Sequence, residues 1–439
     1  MGLNIRVKNP NVVMSIETNP EVLTVLYKHC RGKMSDETFL LKDEAKLFTS
    51  DDFYVDNSSG IFKNSNIRHF EEFEAFTGIK SIPKGCFYGC KSLKEITLPE
   101  SIVEIKENAF YDTGLEYLYI PLNVEIIDQS AFVLSKIKAF TVDLDNFTFY
   151  SHGNHIYRGM QANVLYILAP ETTEYVMPET TVFVYGDGSK AWASSQKLEK
   201  IVLNEKVQDI SGKWFNSVTM KLQEVSGPIR DDVEFYNGCI YSKDCSTLIY
   251  YPSNKEYSET LLNPNVTVIG KYAFVSHKKL KKLVIPERIV KIEDSAFYIS
   301  SITNLVVHSN VVLKDYCFQR NESLVEAIVH TTNLEGTDIF ASCSKLQKIE
   351  LPDTLTVLPK HMFWFCRALE TIDIPSKVTR LEDSCFIYCN RLTSITLPET
   401  VTYLGNACFS GCGMLGDITC LATIAPTLDP NVFGNSIET

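Results

Sequence analysis

No stretch of this 439-residue sequence approaches the ~20 apolar residues a membrane helix needs, so no helical span of a bilayer is expected. Basic residues are in deficit. Forty-two Lys and Arg stand against 54 Asp and Glu, a net charge of -12, which argues against a broad nucleic-acid-binding face. Glycine and proline number only 21 and 17 beside a 45% hydrophobic content, which argues against a mainly disordered chain. The motifs of common chemistries are missing as well. There is no Gly-rich phosphate loop, no His-Glu-x-x-His, no Gly-x-Ser-x-Gly elbow and no Cys-x-x-Cys pair. No enzymatic activity, cofactor or metal is therefore expected. The start, MGLNIRVKNPNVV, has no apolar signal-peptide core, so a secretion signal is expected to be absent or already removed.

What the sequence does have is repetition. Phe87, Phe110 and Phe132 are 23 and 22 residues apart; Phe274, Phe297, Phe318, Phe340, Phe363, Phe386 and Phe409 follow at intervals of 21 to 23. Six residues after each comes an aliphatic residue, such as Leu93, Leu346 or Leu392, and then a short alternating segment such as Leu93-Lys94-Glu95-Ile96-Thr97-Leu98-Pro99. Alternation of that length predicts a strand with one buried face. Two degenerate copies, at Trp192 and at Trp214-Phe215, lie between the two runs. A 22-residue repeat is too short to bury its own apolar face, so the copies must stack, and the two or three globules suggested by length give way to one solenoid with one long core.

The unit Ile-x-x-Ile-x-x-x-(Ala/Cys)-Phe-x-x-Cys-x-x-Leu-x-x-Ile-x-Leu-Pro, clearest in 79–99, 381–398 and 404–420, resembles the BspA-like class of leucine-rich repeats. The resemblance implies an α/β repeat fold: a right-handed leucine-rich-repeat solenoid of about twelve repeats, with an N-terminal helical cap and two β-hairpin insertions. The expected organisation is a cap over 1–60, a first repeat block over 61–142 and a hairpin insertion over 143–181. Degenerate repeats over 182–228, a second hairpin insertion over 229–260 and a second repeat block over 261–439 complete it. For the cap, the pattern predicts a helical pair, one helix running from Pro20 to Cys30 and a second starting at Ser35 as N-cap. Related proteins often carry an acidic, EF-hand-like loop between two such helices. The linker here, residues 29–34, has no run of carboxylates, so no calcium is expected. At the far end the family usually continues into a further strand, and this sequence stops at Thr439, so either another element covers that end or the chain is truncated.

Thirteen cysteines invite a disulfide or metal reading, but their register favours a plainer one. Nine of them fall just before the ladder Phe or three residues after it, where other repeats have Ala, Ser or Thr. Such positions select for small size and predict buried free thiols. His308 and His330, 22 residues apart, stand where other repeats have Pro. They read as solvated strand-end residues, with a metal or anion contact as the sharper alternative.

The resemblance also implies where a partner binds. The open face consists of residues alternating with the buried ones. Its notable members are Tyr117 and Tyr119 near the start and an apolar row Val284, Val306 and Ile328, with Lys282, His308 and His330 beside it. These eight residues form the candidate partner-binding face, although β-propensity alone also favours Val, Ile and Tyr in strands. The expected function is a non-enzymatic binding module, secreted or at the cell surface, that engages a protein or glycan. The alternative is a structural or assembly subunit that docks through its solenoid ends. Neither the ligand nor the oligomeric state is specified by the sequence.

Overall fold

The computed structural model of the chain describes residues 11–434 apart from 16–17, 38, 57–58, 160–162, 186–190, 193 and 216–220. The chain forms two compact units: Met1–Leu198 with Lys206–Asp209 and Ser217–Thr219, and Glu199–Glu205 with Ile210–Asn216 and Met220–Thr439. Its architecture is a β-solenoid of about 15 turns with little helix. Each turn contributes very short parallel strands. In the first unit, Ser81–Ile82, Glu104–Ile105 and Ile126–Ile127 pair in parallel, as do Tyr117–Ile120 and Ala139–Val142. In the second, Lys282–Val284, Asn304–Val307, Glu326–Val329 and Lys348–Glu350 form one parallel sheet.

The repeated rings fill the core by stacking. Phe62, Phe87, Phe110 and Phe132 lie 5.3–5.8 Å apart with interplanar angles of 11–14°. In the second unit, Tyr251, Phe274, Phe297, Phe318, Phe340, Phe363, Phe386, Phe409 and Phe433 form one column, with centroids 4.8–6.2 Å apart. Phe62, Tyr251 and Phe433 extend the expected ladder. Leu168 occupies the same slot, since its N–H donates to the Ala191 carbonyl as that of Phe274 does to Ala296. The expected count of twelve therefore falls short, because these turns either carry a non-Phe side chain or break the spacing. The apolar core also divides, with one cluster running from Met14 to Ala169 and another from Cys239 to Val432.

The two hairpins are less separate from the solenoid than insertions would be. Phe149–His152 and His155–Arg158 form the first, Val233–Tyr236 and Cys239–Ser242 the second. Asn237 and Gly238, with φ of 48° and 70°, make the left-handed two-residue turn that an Asn-Gly pair favours. In each case a third strand, Val164–Ile167 or Thr247–Tyr250, pairs antiparallel with the hairpin and parallel with the next turn. That strand converts the excursion back into a coil.

Between the two short strands of a turn, the backbone around each ladder Phe adopts an unusual conformation. In the second unit, residues two before the Phe (Tyr272, Ser295, Tyr316, Asp338, His361, Ser384, Ala407) and two after it (Ser276, Ile299, Arg320, Ser342, Phe365, Tyr388, Gly411) all have φ between 53° and 73°. Such values cost a non-glycine residue on the order of 1–3 kcal/mol. The regular stack offsets that cost by hydrogen bonding. The N–H groups of Ser295, Phe297 and Ile299 donate to Asp315, Cys317 and Gln319 of the next turn, at 2.8–3.2 Å.

The cysteines belong to the same scheme. Cys245 is half-buried, Cys420 is exposed and the other eleven are buried. Small size explains the position before the Phe, but the position three after it also donates. The thiols of Cys90, Cys343, Cys366, Cys389 and Cys412 point at the Phe carbonyl of the preceding turn, at 3.0–3.3 Å. Ser300 and Asn321 do the same at 2.7 and 2.8 Å. Most of these carbonyls already accept the backbone N–H three residues on in their own turn, as Phe340 does from Cys343 and Phe363 from Cys366, so the side chain from the next turn adds a second bond that ties the two turns together. Burial pushes the Cys90 thiol up to about 11 and that of Cys343 to about 12, so neither is a thiolate at neutral pH.

At the N-terminus the helix Pro20–Cys30 buries Val22, Leu23, Leu26 and Cys30, the stripe the sequence predicts. The expected second helix is a correction. Phe39–Leu41 is a strand, antiparallel to Val12–Ser15, and only Lys42–Ala45 is helical. Ser35 does not cap a helix; its N–H donates to Glu44 Oε1 at 2.7 Å. Leu40 is buried between two half-buried neighbours, a period-two pattern that pairing with Val12–Ser15 completes.

Candidate functional site

The first unit carries the tyrosine part of the candidate face. Tyr117–Ile120 pairs with Ala139–Val142 in the register Tyr117↔Ala139 and Tyr119↔Thr141, so Leu118 and Ile120 point into the core and both tyrosines point out. Tyr117 is 66% exposed and Tyr119 42%. They line an open groove of about 520 Å³ with Glu71, Lys94, Glu95 and Thr97. The Tyr119 hydroxyl donates to Asp143, which pushes the phenol up to about 12 and holds the Asp143 carboxyl below its usual range. Glu71 titrates above the ordinary carboxylate range, first because it hydrogen-bonds Glu95 and then through burial and the charge of Glu95. Glu116 pairs with Lys138 at 2.6 Å.

Beyond Asp143 runs a loop that the sequence does not single out. Leu144 and Phe147 are 95% and 99% exposed. Asn146 holds the loop by donating to the Pro121 and Val124 carbonyls at 2.9 and 3.0 Å and accepting from the Thr148 and Phe149 N–H groups. Two large apolar side chains are thus presented on a fixed backbone. Asn146→Ala is expected to lower stability by about 1–3 kcal/mol through the lost bonds. Replacing Leu144 and Phe147 by Ser should stay within about 0.5 kcal/mol per site. Urea denaturation midpoints check both; the reverse ranking would mean that the loop is held by its apolar side chains.

The remaining candidate residues lie in the second unit. Lys282, Asn304, Glu326 and Lys348 stand in one row and Val284, Val306, Ile328 and Glu350 in the next. Val284 is 56% exposed, whereas Val306 and Ile328 are half-buried, so the apolar row presents less surface than alternation suggests. Lys348 bridges Glu326 at 3.4 Å and Glu350 at 2.6 Å across this row. His308 is half-buried and His330 exposed, each just past its strand, and the His330 N–H donates to Val307. Among the described residues, no group of three His, Cys, Asp or Glu could hold a metal ion.

Comparison with known proteins follows the architecture. The family model described as BspA type leucine rich repeat region matches six copies over residues 57–174, 249–337 and 334–438. No curated protein matches. Among solved structures, a leucine-rich repeat protein from Eubacterium ventriosum is 19% identical, with 80% of this chain and 82% of that one covered and a TM-score of 0.46. A leucine rich cell surface protein from Faecalibacterium prausnitzii is 21% identical, covering 79% and 58%, with a TM-score of 0.27. A leucine-rich repeat protein from Bacteroides ovatus is 18% identical, covering 78% and 70%, with a TM-score of 0.38. With its stacked Phe ladder and a family match over most of its length, the chain belongs to the BspA-type leucine-rich repeat family.

Proposed function

We propose that the chain is a non-enzymatic binding module, secreted or displayed at a cell surface, that engages a protein or glycan through its strand-lined faces. The observation that carries this reading is the exposure of Tyr117 and Tyr119 on one strand, side by side over an open groove. Exposed aromatics grouped on a rigid strand supply contact area at low entropic cost, as binding sites require. Among the described residues, no helix is long and apolar enough to cross a membrane.

The test starts with the purified chain on a glycan array and on a panel of secreted proteins. The strongest ligand is then offered to Tyr117→Glu, Tyr119→Glu, Val306→Glu and Ile328→Glu. Substitution on the binding face is expected to weaken capture by about tenfold or more, with melting temperatures close to wild type for the two tyrosine variants. Equal capture by all four variants counts against these faces.

An assembly subunit is the second reading, favoured by the last described turn. Ile418 and Leu428 are 37% and 55% exposed, while their partners in register one turn earlier, Ile395 and Leu404, are 2% exposed. Continuation of the chain, or a partner that pairs with those strands, would cover them. A mass in solution that rises with concentration supports assembly, and a constant monomer mass favours the binding module.

A further inference from the structure

Resting on the strand-face reading above, we infer that the groove beside Tyr117 receives a basic side chain, arginine or lysine, presented by a protein partner. The groove is open, holds about 520 Å³, and has neutral Thr97 and Thr141 beside the two tyrosines. Its charged lining is unequal. Glu71, Glu95 and Glu116 face it with a single cation, Lys94, whose ammonium donates to the Gly114 carbonyl at 3.2 Å. Two of the acids nearby are already occupied: Glu116 binds Lys138, and Asp143 accepts from Tyr119. Glu72, next to Glu71, accepts from Asn19 at 3.1 Å.

Glu71 and Glu95 remain. Among the described residues, neither has a Lys or Arg nitrogen within 4 Å, and they hydrogen-bond each other across neighbouring turns. His69 is in register with Glu95 on the neighbouring strand. Two carboxyl groups in contact repel when both are ionised, and a cation placed between them relieves that repulsion. The Tyr117 ring, 66% exposed, supplies a π-face on which a guanidinium or ammonium is stabilised. Arginine fits best, because its planar fork can bridge two carboxylates while its face lies on the ring. A neutral sugar could stack on Tyr117 but would leave the paired charge uncompensated. An anionic ligand would add to it. The net charge of -12 further steers a basic partner toward the chain.

The test is calorimetric titration of the full chain with three probes: a hexa-arginine peptide, a hexa-citrulline peptide and cellohexaose. Citrulline keeps the shape of arginine without its charge. Hexa-arginine is expected to bind, hexa-citrulline not to bind, and Glu71→Gln with Glu95→Gln to weaken hexa-arginine about tenfold. Tyr117→Ala should weaken it by at least about threefold. Asp353→Asn with Glu399→Gln removes two exposed carboxylates from the second unit and should leave binding within about twofold. Hexa-arginine binding that ignores the groove variants, or that falls equally with the control pair, overturns the inference as general charge attraction. Cellohexaose binding that Tyr117→Ala abolishes, without hexa-arginine binding, also overturns it, yet leaves the strand-face reading standing. No binding of any probe overturns the inference as well, and the strand-face reading falls with it only if the array variants also bind like wild type.

Discussion

Phe340→Ala is expected to lower the stability of the second unit by about 3–5 kcal/mol, the usual cost of removing a fully buried aromatic ring. The ring is completely buried between Phe318 at 5.6 Å and Phe363 at 6.2 Å, both within 7° of parallel. Its loss leaves a void that two neighbouring turns share, and neither can collapse into it without breaking its own stack. Because each turn is held chiefly by its neighbours, the damage should also weaken cooperativity, so that parts of the unit on either side of residue 340 unfold in separate steps. Urea denaturation followed by circular dichroism checks this. A midpoint close to wild type would mean that the column of rings is not what holds the turns together. The fully exposed Phe147 serves as the internal control, since the same residue type there carries almost none of this energy.

Acid should destabilise the second unit through one residue. His277 is fully buried, 5.5 Å from the Tyr251 ring and 5.7 Å from Phe274. Its Nδ1 accepts from the Leu280 N–H at 3.1 Å, so the neutral ring carries its proton on Nε2. Burial lowers its pKa to about 3, with Lys279 and Lys281 pushing the same way and a backbone contact at Lys255 opposing. The unfolded chain takes up a proton near the ordinary value of about 6.5, whereas the folded chain resists it. The stabilising contribution is therefore complete above about pH 6.5 and shrinks as pH falls toward the folded value. At about pH 5 the loss should be about 2 kcal/mol. The comparison variant is His277→Asn, because Asn321 occupies the equivalent place three residues after Phe318 and bonds the carbonyls of Phe297 and Phe318. Between about pH 7.5 and 5 the variant should lose about 2 kcal/mol less than wild type. Equal losses in the two proteins would show that His277 is accessible to protons in the folded state. His155, in the first unit, is lowered to about 4 by burial and by His152, and adds a similar acid response in wild type and variant alike.

The ring ladder was legible because a fixed repeat returns the same side chain to the same place, and spacing alone reveals it. Where the slot is filled by Leu168 or Tyr251, the side chain no longer announces the turn. Phe62 and Phe433 have the right ring but sit at intervals of 25 and 24, outside the 21–23 of the regular run. The left-handed residues were illegible for a chemical reason. Glycine or asparagine normally marks such φ values, yet here Tyr316, Ile299 and Arg320 adopt them, held by hydrogen bonds to the next turn that only stacking creates. The cysteines were half legible. Size could be inferred from the Ala and Ser at equivalent places, but not the carbonyl each thiol reaches in the preceding turn. The strand at Phe39–Leu41 depends on a partner at Val12–Ser15, a pairing that a local helix signal at Ser35 gives no means to anticipate. On the candidate face the two rows follow from period-two alternation and the register agrees with them. The groove does not follow, since it needs Glu71 from the 3-10 segment Glu71–Ala75, off the strand rows.

The central claim is that successive turns are bonded to one another through the arc around each Phe as well as through the strands. Residue-resolved amide hydrogen exchange tests it most directly. The amides of Phe297, Phe318, Phe340, Phe363 and Phe386, which donate to the following turn at 2.8–3.0 Å, should exchange as slowly as those of Leu305 and Ala327 in the parallel sheet. Exchange at those five positions as fast as in the Leu144–Phe147 loop would contradict it, leaving strands that pair while the arcs between them stay open to water.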